Sequence, residues 1–153
     1  NKKIEIIDYA DELKDHIQTL NYAWLEEYFH IEEGDRVSLS NPRESILDKG
    51  GFIFFARYGN EIVGTASLLK KSDGVFELGK MAVAKQAQGL GIGKLLLEHC
   101  LECAKQKGIP ELILYSNTIL APAIHLYRKY GFEEIELELA ALVINLLMNF
   151  MAN

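Results

Sequence analysis

The chain is poor in cysteine and proline and has no long apolar run, and each scarcity removes a class of protein. Two cysteines in 153 residues are too few for a secreted scaffold stapled by disulfides. Three prolines and the lack of any repeat or low-complexity tract exclude collagen-like and disordered chains. A membrane helix needs about 20 consecutive apolar residues, and the longest candidate, Leu139 to Met151, is interrupted by Asn145 and Asn149. Asn1, Lys2 and Lys3 lead into Ile4, Ile6 and Ile7 without the apolar segment and cleavage site of a signal peptide, so the expected location is cytoplasmic. A basic excess is missing too: 16 basic against 22 acidic residues give a net charge of -6. Such a chain has little with which to displace counterions, and a general nucleic-acid binder is not expected.

What is present is an ordinary globular composition, 49% apolar and 25% charged. A chain of this length buries roughly 70% of its unfolded surface, enough for one core, so residues 1–153 are expected to form a single domain. Residues 1–50 hold 12 acids and 6 bases, which makes the whole acidic excess N-terminal. Leu78 to Leu97 contains no acid but holds Lys80, Lys85 and Lys94, either a field suited to an anion or an ordinary solvated face. Cys100 and Cys103 have the spacing of a redox pair or half a zinc site. They lie inside a helical pattern, not at a helix N-terminus, and no second pair supplies further ligands, so buried thiols and no metal are expected.

Periodicity orders the elements. Ile4 to Ile7 reads as a strand, and Leu13, Ile17, Leu20, Trp24 and Tyr28 recur at helical spacing. Residues 31–50, with Gly34, Pro42 and Gly50, read as a loop with local helix around Arg43 to Leu47. Phe52 to Arg57, Ile62 to Leu68 and Val75 to Val83 read as three successive antiparallel strands separated by turns at Gly59-Asn60 and Ser72-Asp73-Gly74. Leu95 to Lys107 is an amphipathic helix, Leu112 to Tyr115 a strand, Pro122 to Tyr130 a helix capped by Gly131, and Phe132 to Leu137 a strand. The last segment fits two patterns. Leu142, Ile144, Leu146, Met148 and Phe150 share one face of a strand, whereas Asn145, Asn149 and Asn153 recur every four residues.

The segment that carries chemistry is Gln88-Gly89-Leu90-Gly91-Ile92-Gly93-Lys94, between an apolar strand and an amphipathic helix. Alternate glycines let the main chain turn tightly and point N–H groups into a concave nest, and the following helix start adds unpaired donors, a combination that suits phosphate oxygens. Glycines that merely close the turn are the plainer alternative. A Walker sequence would need glycine where Gln88 stands and Ser or Thr where Leu95 stands. A dinucleotide fingerprint would need its third glycine at Lys94 or Leu96.

The segment resembles the Gln/Arg-x-x-Gly-x-Gly signature of the GNAT superfamily of acetyl-CoA-dependent N-acetyltransferases. Upstream, Leu78-Gly79-Lys80-Met81-Ala82-Val83 is similar to that family's fourth strand. Downstream, Ala123 to Phe132 resembles its Ala-x-x-Leu-Tyr-x-x-x-Gly-Phe motif. Many members carry Asn where Leu120 stands; the nearest amide here is Asn117. The resemblance implies an α/β (α+β) fold: a mixed, mostly antiparallel sheet of about seven strands, splayed between the fourth and fifth, with about four helices on its two faces. It also favours a final strand near Leu142 to Phe150.

It further implies acetyl-CoA as the acyl-donor co-substrate. The main chain of Met81, Ala82 and Val83 would hold the pantetheine arm, with Asn117 as a further contact. Gln88, Gly89, Leu90, Gly91, Ile92, Gly93 and Lys94 would form the pyrophosphate bend. Tyr127 matches the family's general acid, and Glu77 occupies a position from which some members project a general base; an exposed strand residue and a packed aromatic are the plainer readings of the two. The acids of the first helices, Glu26, Glu27, Glu32, Glu33 and Asp35, with Tyr28, would bind a cationic small-molecule or peptide amine. The expected function is N-acetyl transfer to a primary amine by direct attack. A non-catalytic acetyl-CoA-binding module is the alternative, and pairing of two copies through the apolar C-terminal segment is compatible with either.

Overall fold

The computed structural model describes residues 3–28, 31, 33–116, 121–135 and 140–145. The chain runs β1 (Ile4–Asp8), a 3-10 turn (Asp11–Leu13), α1 (Lys14–Tyr28), α2 (Glu33–Ser40), a wide helical turn (Arg43–Leu47), β2 (Phe52–Tyr58), β3 (Glu61–Ser72) and β4 (Val75–Val83). It continues through a short turn (Lys85–Ala87), α3 (Ile92–Gln106), β5 (Glu111–Ser116), α4 (Ala121–Lys129), β6 (Glu133–Ile135) and β7 (Ala140–Asn145). The strands form one mixed sheet in the order β1-β2-β3-β4-β5-β7-β6, antiparallel at every junction except the parallel pairing of β4 with β5.

Both faces of the sheet are covered, and β2 shows why its apolar run is continuous. Ile53 and Phe55 join Ile17 of α1 and Leu39 of α2 in one core. Phe54 and Ala56 join Leu96, Leu97, Cys100 and Ala104 of α3 in the other, against which Leu126 and Tyr127 of α4 also pack. On α3 the charged residues Glu98, Glu102 and Lys105 are exposed, so one stripe is buried and the opposite face is wet. Among the described residues no helix is long and apolar enough to cross a membrane.

Strand β4 departs from regular pairing in two ways. Its pairing with β5 is confined to Val75–Glu77 against Glu111–Ile113; from Leu78 onward its described strand partner is β3 alone. The register against β3 also slips: Thr65 faces Ala82 but Ser67 faces Gly79, so two residues of β4 oppose one of β3. Lys80 sits in this bulge at φ 50, the left-handed region that side chains other than glycine rarely adopt.

Residues 31–50 depart from the expected loop, because Glu33–Ser40 is helical. Of its two apolar residues Leu39 is buried and Val37 is 61% exposed, so the helix is held by a single anchor in the core and leaves almost no periodic signal. The helix expected from Leu95 begins three residues earlier, at Ile92. The final strand begins at Ala140, and its expected continuation to Phe150 lies outside the described residues beyond Asn145.

Candidate active site

A cavity of about 220 Å³ opens beside β4, next to the end of its described pairing with β5. Glu77, Gly79, Lys80 and Met81 of β4 line it, facing Asn21 and Leu25 of α1, Asp35 and Leu39 of α2, Tyr115 of β5 and Tyr127 of α4. Glu77 and Tyr127, separated by fifty residues of chain, therefore share one cavity.

Each wall has a local cause. Asn21 is a polar residue on the buried stripe of α1, and its Nδ2 donates to Ile17 O at 2.8 Å and to Lys80 O at 3.2 Å. A side-chain amide thus takes up the carbonyl that the bulge turns away from the sheet. Gly79 allows the Glu77 carboxylate to fold over it: a Cβ there would lie 2.8 Å from Glu77 Oε2. Glu77 Oε1 is 3.3 Å from Lys71 Nζ, and Asp35 Oδ1 is 3.9 Å from Lys80 Nζ. The Tyr127 ring meets Phe132 edge-on at 6.0 Å, and burial pushes its phenol above the ordinary value of 10.0.

The glycine bend is open. Gly89 and Gly91 take φ +85 and +80, which L side chains resist. Gly93 does not need glycine on that ground, and a Cβ at any of the three would meet nothing within 4 Å. Gly91 caps α3 without any side-chain cap, and none of the described turn or cap hydrogen bonds is donated by an N–H of Gly89 through Lys94. At a helix start an anion is stabilised by both such N–H groups and the helix dipole.

Other expected residues fall elsewhere. Glu26 is exposed and does not line the cavity, and nothing is described of the Glu27 and Tyr28 side chains. From α1 the cavity takes Asn21 and Leu25 instead; a polar residue in the apolar stripe was the signal for the first. Asn117 and Leu120 lie outside the described residues. His125 is exposed. Cys100 and Cys103 are free thiols; burial raises both, which leaves them poor nucleophiles and poor metal ligands. Among the described residues no group of three or more His, Cys, Asp or Glu side chains could hold a metal ion.

Solved structures of similar shape share this fold. An acetyltransferase of the GNAT family from Staphylococcus aureus Mu50 is 26% identical, with a TM-score of 0.82 over 94% of this chain and 99% of that one. The PaiA N-acetyltransferase of Thermoplasma acidophilum, solved in complex with coenzyme A, has a TM-score of 0.73 at 20% identity over 94% and 99% of the two chains. In sequence, the chain is 28% identical to rat (Rattus norvegicus) N-acetyltransferase 8F1 over 104 residues, 65% of this chain and 47% of the relative; the chain spans less than half the length of the curated relatives it matches. The model of the acetyltransferase (GNAT) family matches residues 11–132, and the chain belongs to that family.

Proposed function

We propose that this chain is an N-acetyltransferase that moves the acetyl group of acetyl-CoA to a primary amine by direct attack in a ternary complex. The observation that carries this reading is the single cavity walled by Glu77 and Tyr127, beside the stretch of β4 that continues without β5. The open bend supports it, because none of the described turn or cap bonds is donated by its N–H groups and no contact among the described residues requires its third glycine. The family likeness supports the same assignment.

In this proposal the N–H groups from Gly89 to Lys94, with Gln88 at the start of the bend, hold the diphosphate of the donor. The main chain of Met81, Ala82 and Val83 lies along its pantetheine arm, and Asn117 is a further proposed contact. Acetyl-CoA supplies an activated thioester carbonyl; the protein supplies position and two proton transfers. An amine with a pKa near 10.4 is neutral only about once in 2,500 molecules at pH 7, a cost of roughly 4.6 kcal/mol before it can attack. Glu77 takes that proton, and the cavity holds the amine beside it. Tyr127 donates its phenolic proton to the departing sulfur. From an ordinary phenol to a thiol near 8.5 this is uphill by about 2 kcal/mol, and the raised phenol adds to that, so a hydrogen bond to the developing thiolate must offset the difference. Direct attack fits the positions of the two thiols, neither of which lines this cavity.

The test is mass spectrometry of amine mixtures incubated with the chain and acetyl-CoA. Acetylated amine together with free coenzyme A is expected. Tight binding of acetyl-CoA without acetylation of any amine across a broad panel would make the chain a non-catalytic acetyl-CoA-binding module instead.

A further inference from the structure

A second cleft, of about 320 Å³, adjoins the first and shares Glu77 and Lys80 with it. Its charged wall is Lys49, Lys70, Lys71 and Lys80 against the single carboxylate of Glu77. Four lysines line one cleft in a chain of net charge -6, and the field of such a group favours an anion. The neighbouring acids offset it in part. Lys70 reaches the fully exposed Asp73 at 3.8 Å, a pair that contributes little. Lys80 lies 3.9 Å from Asp35, each side chain about one quarter exposed, and Lys71 lies 3.3 Å from Glu77 Oε1.

Resting on the acetyltransferase reading above, we infer that the acceptor amine carries an oxyanion, a carboxylate or a phosphate, which this lysine cleft binds while the amine enters the cavity at Glu77. The shared wall makes the two halves of such a molecule fit together, since its amine and its anion meet the two clefts on either side of Glu77 and Lys80. It also gives Lys71 a positioning role. When the Lys71 ammonium turns from Glu77 Oε1 to the substrate oxyanion, that carboxylate oxygen is released to accept the amine proton. Anionic acceptors thereby free the base, and neutral ones leave it paired. The charge selected is opposite to that expected from the acids of the first helices, of which Glu26 stands outside the cavity lining and Asp35 within it, beside Lys80.

The test compares amines that differ only in the anionic group, with acetyl-CoA saturating: glucosamine 6-phosphate against glucosamine, β-alanine against β-alaninamide, and putrescine as a dication. The anionic member of at least one pair is expected to have kcat/KM about tenfold or more above its neutral partner. The phosphate and carboxylate pairs identify which oxyanion is read. Lys80→Gln is expected to lower that ratio several-fold, mainly through the KM of the anionic member, and Lys71→Gln to lower it both through that KM and through a raised kcat for the neutral member, whose base is no longer paired; added salt lowers it further. Lys105→Gln, an exposed cation on α3 outside both clefts, keeps the wild-type ratio. A ratio at or below one in both pairs, a preference for putrescine, or lysine variants that slow both members equally would overturn the inference and leave acetyl transfer standing. If no amine is acetylated, calorimetry with the same probes and coenzyme A decides. Selective binding of an anionic member that is lost in Lys71→Gln upholds the cleft and refutes catalysis, and no selective binding overturns the inference as well.

Discussion

Gly79→Ala separates the position of the proposed base from the stability of the fold. The new Cβ would lie 2.8 Å from Glu77 Oε2 and 3.3 Å from Leu69 Cδ1, against ordinary contact from 3.4 Å, so the carboxylate must retreat by about 0.6 Å or swing aside. Moving the free end of a flexible side chain is cheap, and replacing glycine at a φ that alanine can adopt contributes about 0.4–1 kcal/mol through the unfolded chain. The variant should therefore be as stable as the parent to within about 1 kcal/mol. Its rate should suffer, because a misplacement of this size at a reacting group costs up to about a hundredfold. The expected outcome is a denaturation midpoint that is unchanged or slightly raised, with kcat down about ten- to a hundredfold and acetyl-CoA affinity kept within a few-fold. Glu77→Gln, which removes the base without displacing it, should lose about 10²–10⁴ in kcat. Parental kcat in both variants would refute the role of Glu77. A loss confined to acetyl-CoA affinity would refute the geometry.

Two buried groups give further outcomes. Tyr127→Phe keeps the ring against Phe132, so coenzyme A affinity should stay within a few-fold while kcat falls. Because burial raises the phenol above 10.0, any alkaline loss of kcat that belongs to it should set in above pH 10 and vanish in the variant; stopped-flow rates across that range check this. Cys100 is fully buried and its thiol lies far above the ordinary 9.0, so the folded state keeps a proton that the unfolded chain releases. Stability is then flat below pH 9 and falls above it, by up to about 1.4 kcal/mol per pH unit from this one group. Urea titrations at pH 8 and pH 10 should show the fall, and Cys100→Ala should reduce it.

The features legible in the sequence are local ones. The bend and α3 announce themselves because alternate glycines and a 3.6-residue stripe are each confined to a few turns of chain. The three antiparallel strands alternate within one segment and are joined by short turns. Glu77 and Tyr127 stand out by likeness to motifs, but that they line one cavity depends on how β4 and α4 are placed in the fold, which no neighbouring residue encodes. The bulge at Lys80 is invisible for a related reason: a lysine held at φ 50 has its carbonyl taken up by Asn21 of α1, fifty-nine positions away. Helix α2 escapes because its one buried anchor, Leu39, makes no period. With it goes the reach of Asp35 towards Lys80. Lys49, Lys70, Lys71 and Lys80 are dispersed over thirty-two residues, and only the fold brings them to one cleft.

The most direct measurement is an amide-resolved NMR titration of the chain with coenzyme A. Saturable shifts concentrated on the N–H groups of Gly89 through Lys94, with further shifts at Met81 to Val83, are the predicted result. Saturation with those amides unmoved, or no binding at millimolar coenzyme A, would contradict it.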